Sequence, residues 1–241
     1  MDIHKPKPIH SWRELATEFG VIVLGILTAL GLEQAVETYH EREQVETAHQ
    51  AIENEIHQGI VDARLNNDMW DCTRTQLAAL SDAVGRGDIA RARHLLTTAG
   101  LPAPHAFADA AWQSALASGV TAGFSAEDQV NFPGVYAILE AVQGYQIDYF
   151  KSEARLESLL MSGLSSSPAT ATAAVPEVAQ LNASLENLQA SLRNYQRYVI
   201  GDLGFEFTDA DRELYNSSEG SLKRIAQCKA AAAALGPAAK D

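Results

Sequence analysis

The sequence is poor in basic residues, aromatic residues and cysteine, and each shortage excludes a class of protein. Its 18 lysines and arginines stand against 31 aspartates and glutamates, which gives a formal net charge of −13. Because nucleic-acid phosphates repel such a chain, we predict no nucleic-acid partner. The same balance argues against a polybasic patch that would hold the protein on a lipid surface. Two cysteines are too few for a disulfide-rich scaffold but are enough for one bridge.

Strand patterns, internal repeats and prolines are also scarce. No proline occurs between Pro8 and Pro102, and no segment shows the alternation of a half-buried strand. Ala, Leu, Glu and Gln, which favour helices, dominate the composition. We therefore predict an all-α fold, in which an N-terminal transmembrane helix continues into a long helix and an antiparallel helical bundle is built onto its far end.

One apolar run, Phe19 to Leu32, has no charged residue. It spans about 21 Å of helix, which is short of the roughly 30 Å hydrocarbon core, but apolar residues on both sides extend it. Ser11 and Glu14 have the spacing of a capping box, so the helix is expected to begin near Trp12. We predict a retained transmembrane helix over residues 12–36. A cleaved signal peptide and a buried helix of a soluble protein are the alternatives.

The charges on either side of this run predict its orientation. Lys5, Lys7 and Arg13 precede it, whereas the residues that follow it are mostly acidic. Because Lys and Arg favour the cytoplasmic side, residues 1–11 are predicted to be a cytoplasmic tail and residues 37–241 a domain on the far side. In a Gram-negative bacterium, this makes the chain a single-pass inner-membrane protein with its bulk in the periplasm and the lipid bilayer as one partner.

The apolar pattern continues beyond the predicted membrane exit without a stop signal. Two rows at heptad spacing predict one helix from Trp12 to about Val84, and a break near Gly59 or at 66–67 is the alternative. The seam can pair with another copy as a coiled coil or pack against later helices of the same chain, and we favour the second because polar residues interrupt it. The rows are Val45, Ile52, Gly59, Asn66, Thr73 and Leu80, and His49, Ile56, Ala63, Trp70, Leu77 and Val84.

Caps, glycines and prolines divide the rest of the chain into shorter helices. The stretch 165–174, which is rich in Ser, Ala, Thr and Pro, is predicted to be a loop. The predicted helices run from Asp88 to Leu96, from His105 to Ser118, from about Ser125 to Met161, from Pro176 to Leu203 and from Ser221 to Leu235.

No residue pattern in the sequence predicts catalysis. His49, Glu53 and His57 follow one another at four-residue spacing on one helix face, a spacing that suits a metal. The His-Glu-x-x-His pattern of a catalytic zinc helix is absent and no third ligand is obvious, so we interpret these residues as seam and solvated positions. The acidic pairs at 127–128 and at 209 and 211 suit helix caps and turns. We predict no catalytic residue, no cofactor and no metal, and hence no enzyme.

Small residues on the apolar run predict a contact between helices. Gly25 and Ala29 form a small-xxx-small pair, with Leu32 on the same side and Gly20 near it. Ordinary membrane-helix composition is the alternative explanation. A contact here would join a second copy of the chain or another membrane protein, so a homo-oligomer or other membrane-protein subunits are the expected partners.

The apolar run and a segment in the middle of the chain each have a recognisable order of residues. Glu18 to Gln34 is a Glu followed by an apolar run rich in Val, Ile, Leu and Gly, and Ala111-Trp112-Gln-Ser-Ala-Leu-Ala-Ser-Gly119 is followed by Tyr136 in the next predicted helix. Both resemble segments of a group of uncharacterised single-pass bacterial inner-membrane proteins. The resemblance implies an N-terminal anchor helix and a periplasmic helical domain. It implies no catalytic residues, because the function of that group is unknown.

Cys72 and Cys228 are the two cysteines of the chain, and both fall on the predicted far side of the membrane. Oxidation is favoured there, so we predict a disulfide that joins the last helix to the outer end of the first. Two buried free thiols, or a bridge between two chains, are the alternatives. Together these patterns predict a membrane-anchored, non-enzymatic interaction subunit at the periplasmic face of the inner membrane. The alternative function is a periplasmic ligand-sensing bundle that signals through a partner protein.

Overall fold

The fold of the described residues is all-α, as the sequence predicts. A computed structural model describes residues 12–98, 100–161 and 167–235, and no strand occurs within these ranges. The helices are α1 Trp12–Gly85, α2 Ile89–Thr98, α3 Ala110–Ser118, α4 Asp128–Met161, α5 Pro168–Gln196, α6 Asp209–Ser217 and α7 Glu219–Leu235. A 3₁₀ turn, Val120–Gly123, follows α3, and a π-helical turn, Arg197–Asp202, follows α5.

α1 is one unbroken helix of 74 residues, which corresponds to a length of about 110 Å. Neither alternative break point interrupts it. At Asn66, the side-chain amide donates to the backbone carbonyl of Asp62 four residues earlier, and the helix continues through this position. The helix ends where Gly87 takes a φ of +72°, a conformation that glycine adopts without steric cost.

The seam of α1 packs within the chain, against α4 and α5. The first half of α4 and the end of α5 meet around Ile52 and Ile56, whereas the end of α4 and the start of α5 meet around Leu77 and Leu80. α4 and α5 therefore form an antiparallel pair, and α1 runs antiparallel to α5. The polar seam residue Asn66 is buried but bonded, because its amide group also bonds the backbone of His105.

α7 packs on a different side of α1 and runs parallel to it. Ile225 lies in a buried cluster with Val61 and Leu65, and Leu235 lies further along near Leu80. This direction is possible because the chain returns from the end of α5 to the middle of α1 through α6. The hydroxyl of Tyr215 in α6 donates to the carboxylate of Asp68, 2.5 Å away.

The predicted loop over 165–174 is wrong for the part that the structure describes, because α5 begins at Pro168. Ser167 caps this helix by accepting a hydrogen bond from the backbone N–H of Thr170, and proline at the first position has the φ that a helix needs. Ala171 and Ala174 are buried in the cluster that holds the end of α4. Burial and capping therefore make this segment helical, and residues 162–166 lie outside the described residues.

The predicted start of α3 at His105 is also wrong, since the helix begins at Ala110. The carbonyl of His105 accepts side-chain hydrogen bonds from Asn66 and Gln146, so the chain here is held by other elements and not by its own helical bonds. Pro133 lies inside α4. The last helix begins at Glu219, two residues before the predicted Ser221.

Candidate functional site

The N-terminal half of α1 lies outside the bundle. From Trp12 to Gln44 almost every described side chain is exposed, and the exposed fraction of Leu24 is 66%. Among the described residues, α1 is the one helix that is long and apolar enough to cross a membrane. Its exposed large apolar residues are Trp12, Leu15, Phe19, Val21, Ile22, Leu24, Ile26, Leu27, Leu30, Leu32, Val36 and Tyr39.

The small residues predicted to pack against another helix lie on this exposed half. At Gly20 and Gly25, an added Cβ would meet no described atom within 4 Å, so nothing in the described chain covers them. At about 100° per residue, Gly25, Ala29 and Leu32 share one face of the helix. Gly20 lies about 140° round the helix from Gly25 and so does not share that face. The helix contact itself stays a prediction.

Cys72 and Cys228 meet at the interface between α1 and α7. Their sulfur atoms lie 1.96 Å apart and their Cα atoms 5.7 Å apart, at disulfide distance and within one chain. Both residues are buried, next to Met69 and Ile225. The pair therefore connects the last helix to the half of α1 after Val45, across 156 residues of sequence, as predicted.

The three residues with metal-like spacing do not converge on one point. His49 Nε2 lies 3.3 Å from Asp128 Oδ2 in α4, and His49 Nδ1 lies 3.7 Å from Glu53 Oε2. His57 Nδ1 instead lies 2.9 Å from Asp211 Oδ2 in α6. Within the described ranges, no group of three His, Cys, Asp or Glu side chains could hold a metal ion. Each histidine thus connects α1 to a different helix.

The sequence suggested a turn residue at Asp211, and the structure shows that this side chain is also buried and contacts α1. Its exposed fraction is 3%, and its Oδ2 accepts hydrogen bonds from both the backbone N–H and the hydroxyl of Thr208, each at 2.8 Å. Together with His57, these bonds fix the start of α6 against α1. No local pattern reveals the pairing of His57 with Asp211, because 154 residues separate the two.

The two histidines border an open cleft of about 660 Å³, and four of the nine polar residues that line it are acidic. Glu53, Glu127, Asp128 and Glu206 contribute carboxylates to it. The hydroxyl of Thr208 donates to Asp211, so it is held by a carboxylate and is not positioned as a nucleophile beside a histidine. Each of the two imidazoles at this cleft is oriented by a carboxylate of another helix.

The carboxylate of Glu55, outside the cleft, holds α3 and α4 on α1. It accepts from the backbone N–H groups of Ala111 and Trp112 at 3.0 and 3.3 Å, and from the hydroxyl of Tyr136 at 2.6 Å. Burial, then the hydrogen bond to Glu55, raises the pKa of Tyr136 above its ordinary value. The rings of Trp112 and Tyr136 stack with centroids 5.1 Å apart. The two parts of the middle segment singled out by resemblance therefore meet in one structural cluster.

Comparison with known proteins found no matching protein-family model, no similar curated protein and no similar solved structure. The resemblance to single-pass inner-membrane proteins therefore stays a prediction. The described chain therefore has two parts. In the bundle, the seam of α1 packs against other helices of the same chain, whereas the apolar N-terminal half of α1 is covered by no described residue.

Proposed function

We propose that this protein is a membrane-anchored, non-enzymatic interaction subunit, with its bundle at the periplasmic face of a bacterial inner membrane. One observation carries the proposal. The bundle buries the seam of α1 from Ile52 onward, while the half of α1 before Val45 is uncovered and includes the run Phe19–Leu32, which is apolar on all sides. A helix that is apolar all round needs an apolar surrounding, and a bilayer supplies it.

The continuity of α1 supports a role in which position relative to the membrane matters. Between the predicted membrane exit at Val36 and the first fully buried residue, Ile52, the helix continues without a break. This distance corresponds to about 24 Å. The segment Glu37–Gln44 is mostly polar and exposed, so the bundle would stand off the membrane on a rigid stalk. Such a stalk ties the orientation of the bundle to that of the membrane helix.

The face of Gly25 and Ala29 supports a partner within the membrane. Small residues allow two helix backbones to approach closely, and in lipid this packing is a main source of helix association. Because no described residue of the chain covers the face, the helix that fills it would come from a second copy or from another membrane protein.

The test is the size and composition of the full-length protein extracted in mild detergent. We expect a stable assembly, either of several copies or with a stoichiometric partner, measured by light scattering and mass spectrometry. Gly25→Leu and Ala29→Leu should each weaken it. Gly31→Leu is the matched control, since Gly31 lies at least about 120° round the helix from both residues. A monomer with no partner would contradict the proposed function, whereas an assembly that all three variants leave unchanged would contradict only the proposed face.

The orientation has its own test. A reporter fused after Asp241 should be active when it is a reporter that works in the periplasm, and inactive when it works in the cytoplasm. The opposite result would overturn the placement of the bundle and, with it, the argument that the cysteines lie in an oxidising compartment.

Ligand sensing is a second candidate function, and one observation favours it. At the end of the bundle furthest from the N-terminal half, α1, α2 and α7 enclose an apolar pocket with a volume of about 240 Å³. Binding of a small molecule there, transmitted along α1, would fit a sensor that acts through a partner's helix. A titration that shows binding to this pocket would support this candidate.

A further inference from the structure

A groove between α4 and α5 carries two arginines and is lined by no acidic residue. Arg193 and Arg197 contribute the positive charge, and the groove has a volume of about 460 Å³. Its other polar groups are neutral and come from a tyrosine, a serine and two asparagines. The whole chain has a formal net charge of −13, so this arginine groove is a local reversal of the prevailing charge.

The two arginines lie on the side of α5 that is turned away from α1. Tyr195 faces α1, because its hydroxyl donates to the carbonyl oxygen of Ile56. At about 100° per residue, Arg193 and Arg197 each lie about 160° round α5 from Tyr195. Both arginines are exposed, and within the described ranges neither forms an ion pair. Arg197 donates to Asn194 Oδ1 at 2.7 Å, which uses one of the five N–H donors of a guanidinium group.

The cleft bordered by His49 and His57, here called the acidic cleft, has the opposite charge. Glu127 and Glu206 line it, both are exposed, and no cation among the described residues pairs with either carboxylate. The acidic cleft is bordered by α1 and shares no lining residue with the arginine groove. Within one copy the two surfaces therefore stay apart, and contact between them requires two copies.

The two surfaces lie at nearly the same level along α1. Tyr195, at the centre of the arginine pair, contacts α1 at the level of Ile56 and Gly59. The residues that α1 contributes to the acidic cleft run from His49 to His57. The centres of these two regions differ by about 7 Å along the helix. Copies held by the same membrane helix share one height and one orientation, so a sideways approach brings the arginine groove of one copy opposite the acidic cleft of the next.

We propose that the arginine groove binds the acidic cleft of a second copy, so that Arg193 and Arg197 pair with Glu127 and Glu206. This names the partner in the proposed function and rests on the membrane anchor, which sets the common height. The contact joins two different surfaces, so it extends into a ring or a row of copies in the plane of the membrane. Repulsion between the acidic copies is limited, because salt screens exposed charges that lie more than about 8 Å apart.

The test reverses the charges in the full-length protein, extracted in mild detergent, and measures self-association by light scattering. Arg193→Glu combined with Arg197→Glu should raise the dissociation constant between copies by about 10-fold or more, because attractive pairs become repulsive. Glu127→Arg combined with Glu206→Arg should have a similar effect for the same reason.

The matched control is Arg86→Glu combined with Arg91→Glu. Both residues are exposed, lie at the end of the bundle furthest from the membrane helix and line neither surface. This control changes the net charge by the same amount as the reversal in the arginine groove. It should leave self-association unchanged.

An equal mixture of the two reversed proteins tests the pairing itself. Copies with reversed arginines keep the acidic cleft, and copies with reversed glutamates keep the arginine groove, so the mixture can form both the original contact and the charge-reversed one. Self-association should return in the mixture and in a chain that carries all four substitutions. Its return also shows that each variant is folded.

Three results would overturn the proposal: self-association that survives either reversal, no recovery in the mixture, or an equal loss in the control. A wild-type complex that holds one copy and a different protein would also overturn it. All four leave the anchored interaction role standing, whereas a wild-type monomer without any partner contradicts that role itself.

Discussion

α1 divides into two halves that share one backbone but differ in what surrounds them. In the half before Val45, large apolar side chains point in every direction and stay exposed. In the half after it, the large apolar side chains are confined to faces that other helices cover, and Ile52 has an exposed fraction of 0%. We call the half before Val45 the outer half and the half after it the inner half. The remaining residues of the inner half are polar, charged or small, as expected for a helix in contact with water. The comparison teaches that the half before Val45 has the length and composition of a helix that could cross a membrane, whereas the half after it does not.

The two halves also differ in the hydrogen-bond partners of their polar side chains. In the half after Val45, two side-chain amides bond to other elements of the bundle, Asn66 to His105 and Asn67 to Gln189. In the outer half, the hydroxyl of Thr28 donates to the carbonyl of Leu24 within its own helix. A hydroxyl satisfied by its own backbone needs neither water nor a partner, so it fits a lipid environment.

The clearest test of this comparison places the same charged residue in each half of α1. Leu77→Asp should unfold the bundle, because it removes a fully buried side chain and leaves a carboxylate without a counter-ion. We expect the free energy of unfolding to fall by more than about 4 kcal/mol. Urea denaturation followed by circular dichroism measures the change.

Leu27→Asp is the matched variant in the outer half, where the same residue type is exposed. It should leave the stability of the bundle unchanged and weaken membrane insertion, since an aspartate at the centre of a spanning helix costs about 3 kcal/mol. Fractionation of cells into membrane and soluble parts reads out this effect. If Leu27→Asp destabilised the bundle as strongly as Leu77→Asp does, the division of α1 into two halves would be wrong.

The next largest effect should come from the bond between Cys72 and Cys228, which stabilises the inner half alone. For a loop of this length, the chain-entropy model gives an upper figure of about 5 kcal/mol. Reduction should therefore lower the free energy of unfolding by about 2–5 kcal/mol. The variant with both cysteines changed to alanine should be equally destabilised and insensitive to reductant. Two thiols that react with an alkylating reagent before reduction would contradict the bridge.

The sequence predicted those parts of the molecule whose signals are local. The length of α1 follows from its heptad rows and from the absence of an internal proline, and the cysteine pair follows because the chain offers one possible pairing. The helix over 168–174 was missed because its composition is typical of a loop, whereas Ala171 and Ala174 are buried against the end of α4. The contacts of Glu55 with Tyr136 and of Asp211 with His57 join residues that are distant in sequence, so no local pattern could have revealed them.

Glycines in the two halves should respond differently to the same substitution. At Gly59, an added Cβ would lie 2.3 Å from the hydroxyl oxygen of Tyr195, which is fully buried and donates to the carbonyl of Ile56. Gly59→Ala should therefore cost about 1–2 kcal/mol, since overpacking outweighs the gain in helix propensity. Gly31→Ala meets no atom within 4 Å and should leave bundle stability unchanged.

A double variant identifies the cause of that loss. Tyr195→Phe removes the hydroxyl that Gly59→Ala would meet, so the two substitutions together should cost less than the sum of their separate effects. Thermal unfolding of the four proteins, wild type included, forms the cycle. Simple additivity would show that the close approach of Tyr195 to Gly59 is not what makes glycine necessary there.

The smallest effect concerns two titrating groups that the inner half brings near each other. Burial, with a contribution from Arg224, lowers the pKa of His105 to about 4, and burial raises the pKa of Asp62 to about 6 against a lowering hydrogen bond from Gln58. Between pH 4 and 6.5, the unfolded chain binds more protons than the folded chain at His105, so stability rises with pH. Between about pH 4 and 6, the folded chain binds more protons at Asp62, so stability falls with pH.

The two slopes oppose each other, and the wild-type bundle should have a nearly flat stability profile between pH 4 and 6. Asp62→Asn should expose the rise due to His105, and His105→Gln should expose the fall due to Asp62, each by about 1–2 kcal/mol after allowance for the part of each side chain that solvent screens. Glu37→Gln, in the outer half, is the control and should keep the flat profile. Urea midpoints measured at half-unit steps of pH would show this. Because the two variants must tilt the profile in opposite directions, a tilt of the same sign in both would mean that these residues do not set the pH dependence of the stability.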